Sequence, residues 1–126
     1  MDDTNSSGLI LLTYKGKVLL MHKQKSVLDE EKHPWCLIGG IRKKKESFEQ
    51  ALTRKVEEEA GIKIEKIEFV EENRYHTHLT DDNVNKIQRS ENQLLDFFTL
   101  NELNKLTLST STQQFIAKHR DLISIL

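Results

Sequence analysis

The chain has 126 residues and a net charge of −1, with 31% charged and 37% hydrophobic residues. That length suits one core, so 1–126 reads as a single domain. The balanced charge supplies no global field for nucleic acid or a membrane surface, and no apolar run approaches a transmembrane span.

Met1-Asp-Asp-Thr-Asn-Ser-Ser7 has neither the basic start nor the apolar core of a signal peptide. Residues 1–7 read as a flexible tail. Leu9–Tyr14 and Lys17–His22 are strand candidates, with Lys15-Gly16 as the tight turn between them. A polar loop from Lys23 to Pro34 follows, placed to close over a substrate. Trp35–Ile38 is a short apolar segment leading into Gly39-Gly40. Cys36, the single cysteine, excludes an internal disulfide and fits a reducing cytoplasm. Its place in an alternating apolar segment assigns it to packing rather than to nucleophilic chemistry.

Arg42-Lys43-Lys44-Lys45 is a basic run just before the next element. It reads either as a solvated loop or as a set of phosphate contacts, with Arg42 and Lys43 the candidates. A helix follows. Ser47 is its N-cap, and Gln50, three residues on, completes a capping box. Gly61 ends it, because glycine tolerates the positive φ of a C′ residue. Phe48, Ala51, Leu52 and Val56 form one apolar stripe. At about 100° per residue, Glu59 lies about 40° from Lys55, between Phe48 and Leu52, and Glu58 lies about 60° away on the other side. Glu59 therefore points along the apolar stripe with Glu58 on its margin, while Glu57, near 200°, faces solvent. Carboxylates at a helix C-terminus oppose the helix dipole. A buried carboxylate needs a cation or donors, so the cluster Glu57-Glu58-Glu59 reads as a cation site or as a solvated end with a Lys55–Glu59 ion pair.

Further strand candidates are Ile62–Glu71, Arg74–Leu79 and Leu94–Leu100. Asn101 is a candidate cap for a short helix through Leu106, and Thr112–Ile123 reads as a terminal helix with Phe115, Ile116, His119 and Ile123 on one side. Strands interspersed with helices indicate an α/β domain. His76 and His78 share one strand face at i,i+2. Such a pair is more often a polar strand face than a transition-metal site, and phosphate chemistry prefers oxygen ligands. Trp35, Tyr75 and Phe97 are candidates for stacking on a base and equally for packing.

Gly40, Glu46, Arg54, Val56, Glu58, Glu59, Gly61 and Ile62 fall in register, with no gap, on the pattern of the Nudix box. The segment resembles the signature of the Nudix hydrolases, and Asp96-Phe-Phe-Thr-Leu-Asn-Glu-Leu103 is similar to the family's late strand and short helix. The resemblance implies the Nudix fold, a mixed β-sheet sandwiched between α-helices. It implies a pyrophosphohydrolase acting on a nucleoside diphosphate derivative or a nucleoside triphosphate, with Mg²⁺ or Mn²⁺ held by box glutamates. It places Glu58 and Glu59 as metal ligands, with the Gly40 carbonyl a weaker candidate. Arg54 reaches Glu57 or Glu58 and orients a carboxylate, and Glu46 supports the loop or caps the helix electrostatically. Trp35, Arg42 and Lys43 are the substrate-binding candidates. The partner implied is a nucleotide-type small molecule, with no nucleic acid and no membrane; the oligomeric state is open, a homodimer included.

The chain departs from the pattern at Lys55, where the family has a glutamate that commonly binds metal or prepares the water. Protonated lysine has no lone pair for a metal. Three readings follow: fewer metals with weakened hydrolysis, a direct phosphate contact by Lys55, or a hydrolysis-deficient domain that binds nucleotides as a regulatory module. Glu91, in the loop ahead of the last strand, is a candidate replacement carboxylate and otherwise an ordinary polar loop residue. Ile38 stands where many members have proline, and Lys45 where a glycine usually precedes Glu46, in a turn that wants positive φ.

Overall fold

The computed structural model describes residues 7–23, 34–89 and 93–124. Its strands are β1 (Ser7–Tyr14), β2 (Lys17–Lys23), β3 (Ile38–Ile41), β4 (Glu68–Glu71), β5 (Arg74–His78) and β6 (Gln93–Thr99). Its helices are α1 (Phe48–Ala60), α2 (Asp81–Asn85), α3 (Leu100–Leu103), α4 (Thr110–Lys118) and α5 (Arg120–Ser124). The architecture is α/β. Contacts divide the chain into two compact units, one of residues up to Leu12 with Ile38–Gln88, the other of Thr13–Leu37 with the chain from Arg89 onward. Ser7, assigned to the tail by sequence, is the first residue of β1. The expected loop lies outside the described residues from 24 to 33.

In the first unit the strand order is β4-β5-β1, with β3 also paired to β1. The β1–β3 ladder is antiparallel and runs from Ser7↔Ile41 to Ile10↔Ile38. Helix α1 packs on these strands. A side chain at Gly8 would meet Phe48 Cδ1 at 3.0 Å, so the close approach of α1 to β1 depends on that glycine. Ala51, Leu52, Val56 and Ala60 of α1 are buried, together with Ile10, Leu12 and Ile38. Ser47 and Gln50 form the expected capping box, and Gly61, at φ 71°, closes the helix through its N–H to the Glu57 carbonyl.

The expected strand over 62–71 forms only as β4 at its end. The alternation of that segment does set burial, since Ile62 and Ile64 are 2% and 5% exposed. Its carbonyls, however, meet side chains rather than a strand: Lys63 O accepts from Asn83 Nδ2 at 3.3 Å and Lys66 O from Thr77 Oγ1 at 2.8 Å. Helix α2 was not expected. Thr80 and Asn83 cap it reciprocally, the short-side-chain version of a capping box.

In the second unit the order is β1-β2-β6. The β2–β6 ladder runs antiparallel from Lys17↔Thr99 to Lys23↔Gln93. Lys15 and Gly16, both at positive φ, form the turn into β2 as expected. Trp35–Ile38 is not one continuous strand. Cys36 exchanges backbone hydrogen bonds with Met21 at 2.8 and 2.9 Å, Trp35 bonds to the 107–109 segment, and Leu37 N donates to buried Thr112 Oγ1 at 3.0 Å. The short helix after β6 starts two residues earlier than expected, because Thr99 and Glu102, not Asn101, make its capping box. The single terminal helix expected over 112–123 is two helices, broken at His119, whose φ of −131° is not helical. Phe115, Ile116 and Ile123 still reach the core. No helix among the described residues is long and apolar enough to cross a membrane.

Candidate functional site

The first unit brings together Gly40, Arg42, Lys43, Glu46, Arg54, Lys55, Glu58 and Glu59, all on β3, α1 and the loop between them. Arg54 is the hub. Its Nε and Nη2 donate to the two oxygens of Glu46, each at 3.0 Å, a bidentate pair. Nη1 donates to Glu58 at 3.3 Å, and Nη2 also reaches the Ile41 carbonyl at 3.2 Å. Of the two partners expected for Arg54 on its own helix, the structure selects Glu58. Glu57 instead faces Lys63 at 3.9 Å.

Glu46 accepts from the Lys43 backbone N–H at 2.7 Å, closing the loop on itself. The Arg54 guanidinium, and then the Lys43 N–H, hold its carboxyl down to about 2 from the usual 4.5. Lys45, just before it, has φ 70°. The turn does want positive φ, and a lysine supplies it where glycine would adopt it freely. Arg42 and Lys43 are exposed, and the Arg42 guanidinium lies over the Phe48 ring at 4.3 Å from its centre.

The two adjacent carboxylates differ in setting. The Glu58 side chain is 46% exposed, while Glu59 is 16% exposed, in keeping with its position along the apolar stripe. Lys55 Nζ stands 3.3 Å from Glu59 Oε1. The Lys55 stem crosses Gly40 so closely that a Cβ there would lie 2.4 Å from Lys55 Cγ. Among the described residues, no group of three or more His, Cys, Asp or Glu side chains is placed to hold a metal.

Of the remaining expected residues, one lies in the other unit and one outside the described residues. Trp35 belongs to the second unit, where its ring meets Phe98 edge-on at 4.9 Å and His22 at 5.0 Å. Glu91 lies outside the described residues. His22 was not singled out by sequence. It is 5% exposed, and its Nδ1 is buried without a hydrogen-bond partner among the described residues. A histidine in the run Val18-Leu-Leu-Met-His22 was the available signal, but nothing in it foretold the missing partner. Of the histidine pair, His76 is buried with Nδ1 3.1 Å from Glu68, and His78 is exposed. Burial pushes the His76 imidazole below its usual range, outweighing the opposing Glu68 carboxylate.

The NUDIX domain model matches residues 3–119. The chain belongs to the Nudix family. Solved structures agree on the fold. The MutT NUDIX hydrolase from Burkholderia pseudomallei is 20% identical with a TM-score of 0.70, over 90% of this chain and 95% of that one. A mutT/nudix family protein from Listeria innocua is 18% identical with a TM-score of 0.69, over 93% and 92%. The NUDIX domain of Shewanella oneidensis NrtR, complexed with ADP ribose, is 16% identical with a TM-score of 0.64, over 93% and 86%. No curated protein matches the chain.

Proposed function

We propose that this Nudix domain is a divalent-metal-dependent pyrophosphohydrolase of a nucleoside diphosphate derivative or nucleoside triphosphate, with turnover weakened by Lys55. The observation that carries the reading is the Arg54 hub, which ties Glu46, the β3 end and Glu58 into one fixed frame beside Glu59. Two carboxylate donors suit Mg²⁺ or Mn²⁺, since Mg²⁺ is commonly bound by one or two carboxylates and keeps several waters. Glu58 and Glu59 would hold the ion, with the Gly40 carbonyl as a weaker contributor. When bound, it supplies charge neutralisation at the pyrophosphate and activation of water.

The chain's own residues have separate tasks. Arg54 orients Glu58 and, through Glu46, fixes the loop that presents Arg42 and Lys43 to substrate phosphates. Glu91 is the candidate carboxylate for the role that Lys55 cannot fill. The partner is a nucleotide-type small molecule, and the setting a reducing cytoplasm.

The test is a phosphate-release screen over nucleoside triphosphates, diphosphate sugars, dinucleoside polyphosphates and ADP-ribose, with Mg²⁺ and with Mn²⁺. Turnover is expected to vanish with chelator and in Glu59→Gln. Metal-dependent turnover that survives Glu59→Gln sinks the assignment. The second reading, a nucleotide-binding module without hydrolysis, is favoured by the Lys55–Glu59 pair and by the ADP-ribose complex of the NrtR domain. It predicts saturable binding of the same compounds with no product formed.

A further inference from the structure

Lys55 sits where its charge meets the more buried of the two carboxylates. Its stem lies over Gly40, a position where any larger residue would collide with it. The side chain is 27% exposed and its ammonium faces Glu59, itself 16% exposed, at 3.3 Å. A pair this covered is screened less by water than a surface pair. Glu59 therefore has a compensating cation supplied by the chain itself, one turn earlier on the same helix.

From this geometry we infer that Lys55 is a resident cation for Glu59, standing in for one divalent ion and competing with metal at that carboxylate. The inference rests on the reading of Glu59 as a metal ligand given above. A divalent ion approaching Glu59 must displace the ammonium or stand beside it. Either course opposes binding, through a lost ion pair or through repulsion between like charges. The ammonium cannot itself act as ligand, having three donors and no lone pair. The domain should accordingly hold fewer divalent ions, and hold them more loosely, than the same fold with a neutral or acidic residue at position 55.

The experiment is a Mn²⁺ titration followed by electron paramagnetic resonance of free Mn²⁺, with no nucleotide present. It compares wild type, Lys55→Met, Lys55→Glu and the double variant Lys55→Met/Glu59→Gln. Lys55→Met keeps an unbranched stem over Gly40 and removes only the charge, so it remains informative if Lys55→Glu fails to fold. Lys55→Met is expected to bind Mn²⁺ about tenfold or more tightly than wild type. Lys55→Glu should gain further affinity and one more bound ion per chain, and Glu59→Gln should cancel the gain in Lys55→Met. Equal affinity and stoichiometry in wild type and Lys55→Met overturns the inference while leaving Glu59 as a ligand. A gain that persists in the double variant also overturns it, because the competition would then not be at Glu59. If no protein of the series binds Mn²⁺, the inference and the metal-dependent reading fall together.

Discussion

Lys45 and Glu46 are neighbours with opposite relations to their loop. Lys45 is held at φ 70°, a left-handed conformation that costs a residue with a Cβ about 1–2 kcal/mol. Glycine avoids that cost but loses more backbone entropy on folding. Lys45→Gly is therefore expected to stabilise the fold by a net ~0.5–1 kcal/mol, read as a higher urea midpoint. Glu46 works the other way, because its charged form is what the loop requires. Arg54 and the Lys43 N–H lower its carboxyl to about 2 from 4.5. A carboxyl depressed in the folded state binds fewer protons there than in the unfolded chain, so its contribution is complete above about 4.5 and disappears as pH falls to about 2. Thermal melts from pH 6 down to about 2 should lose stability more steeply in wild type than in Glu46→Gln. Equal slopes would mean that other carboxyls govern the acid limb.

Helix α1 is where local signals and tertiary demands agree. Ser47 and Gln50 satisfy donors at its start, and Ser47→Ala should cost about 1 kcal/mol. Gly61 answers two requirements at once. Its φ is 71°, and a Cβ would lie 2.9 Å from Gln88 side-chain atoms. Gly61→Ala should cost about 1–2 kcal/mol from backbone strain alone, with Gln88 forced to move as well. Chemical denaturation of both variants checks the pair, and a loss at Gly61 no larger than that at Ser47 would show that the C-terminal turn adjusts. The elements that sequence misplaced lack such self-contained signals. Ile62–Ile67 has the alternation of a strand, but two of its carbonyls, those of Lys63 and Lys66, accept from the Asn83 and Thr77 side chains. Alternation records which side chains are buried, whereas a strand also needs a neighbour to bond. The break at His119 is of the same kind, since the apolar residues on either side keep helical spacing across it. The capping box at Thr99–Glu102, by contrast, is a local sequence signal, and it outcompetes Asn101 as the cap.

For the molecule as a whole, each unit has its own buried set. The first is built around α1 on β1 and β3, and the second around the β2–β6 ladder with Phe115, Ile116 and Ile123. Phe115 is 1% exposed and lies among the largest fully buried side chains. Phe115→Ala should destabilise by about 3–5 kcal/mol. Against a usual total of ~5–15 kcal/mol, that is enough to unfold much of the population in mild urea. A loss below about 1 kcal/mol would show that this core can collapse around the gap.

Sequence alone determined the family, the capped helix and the orientation of its carboxylates. Those depend on short-range spacing, and a helix converts spacing directly into direction. It also located Lys55 as the departure in the box. Only the tertiary structure decided which of the contacts left open by spacing are made. The choice of Glu58 over Glu57 by Arg54 follows from the simultaneous pull of Glu46 and the Ile41 carbonyl, brought in by β3. The Lys55–Glu59 pair is offered by i,i+4 spacing, and the course of the Lys55 stem over Gly40, which a side chain there would block, is what the tertiary structure adds. Both pairs lie within α1 at i,i+4; spacing offered them among alternatives, and the packing of β3 and its loop against the helix selects between those alternatives.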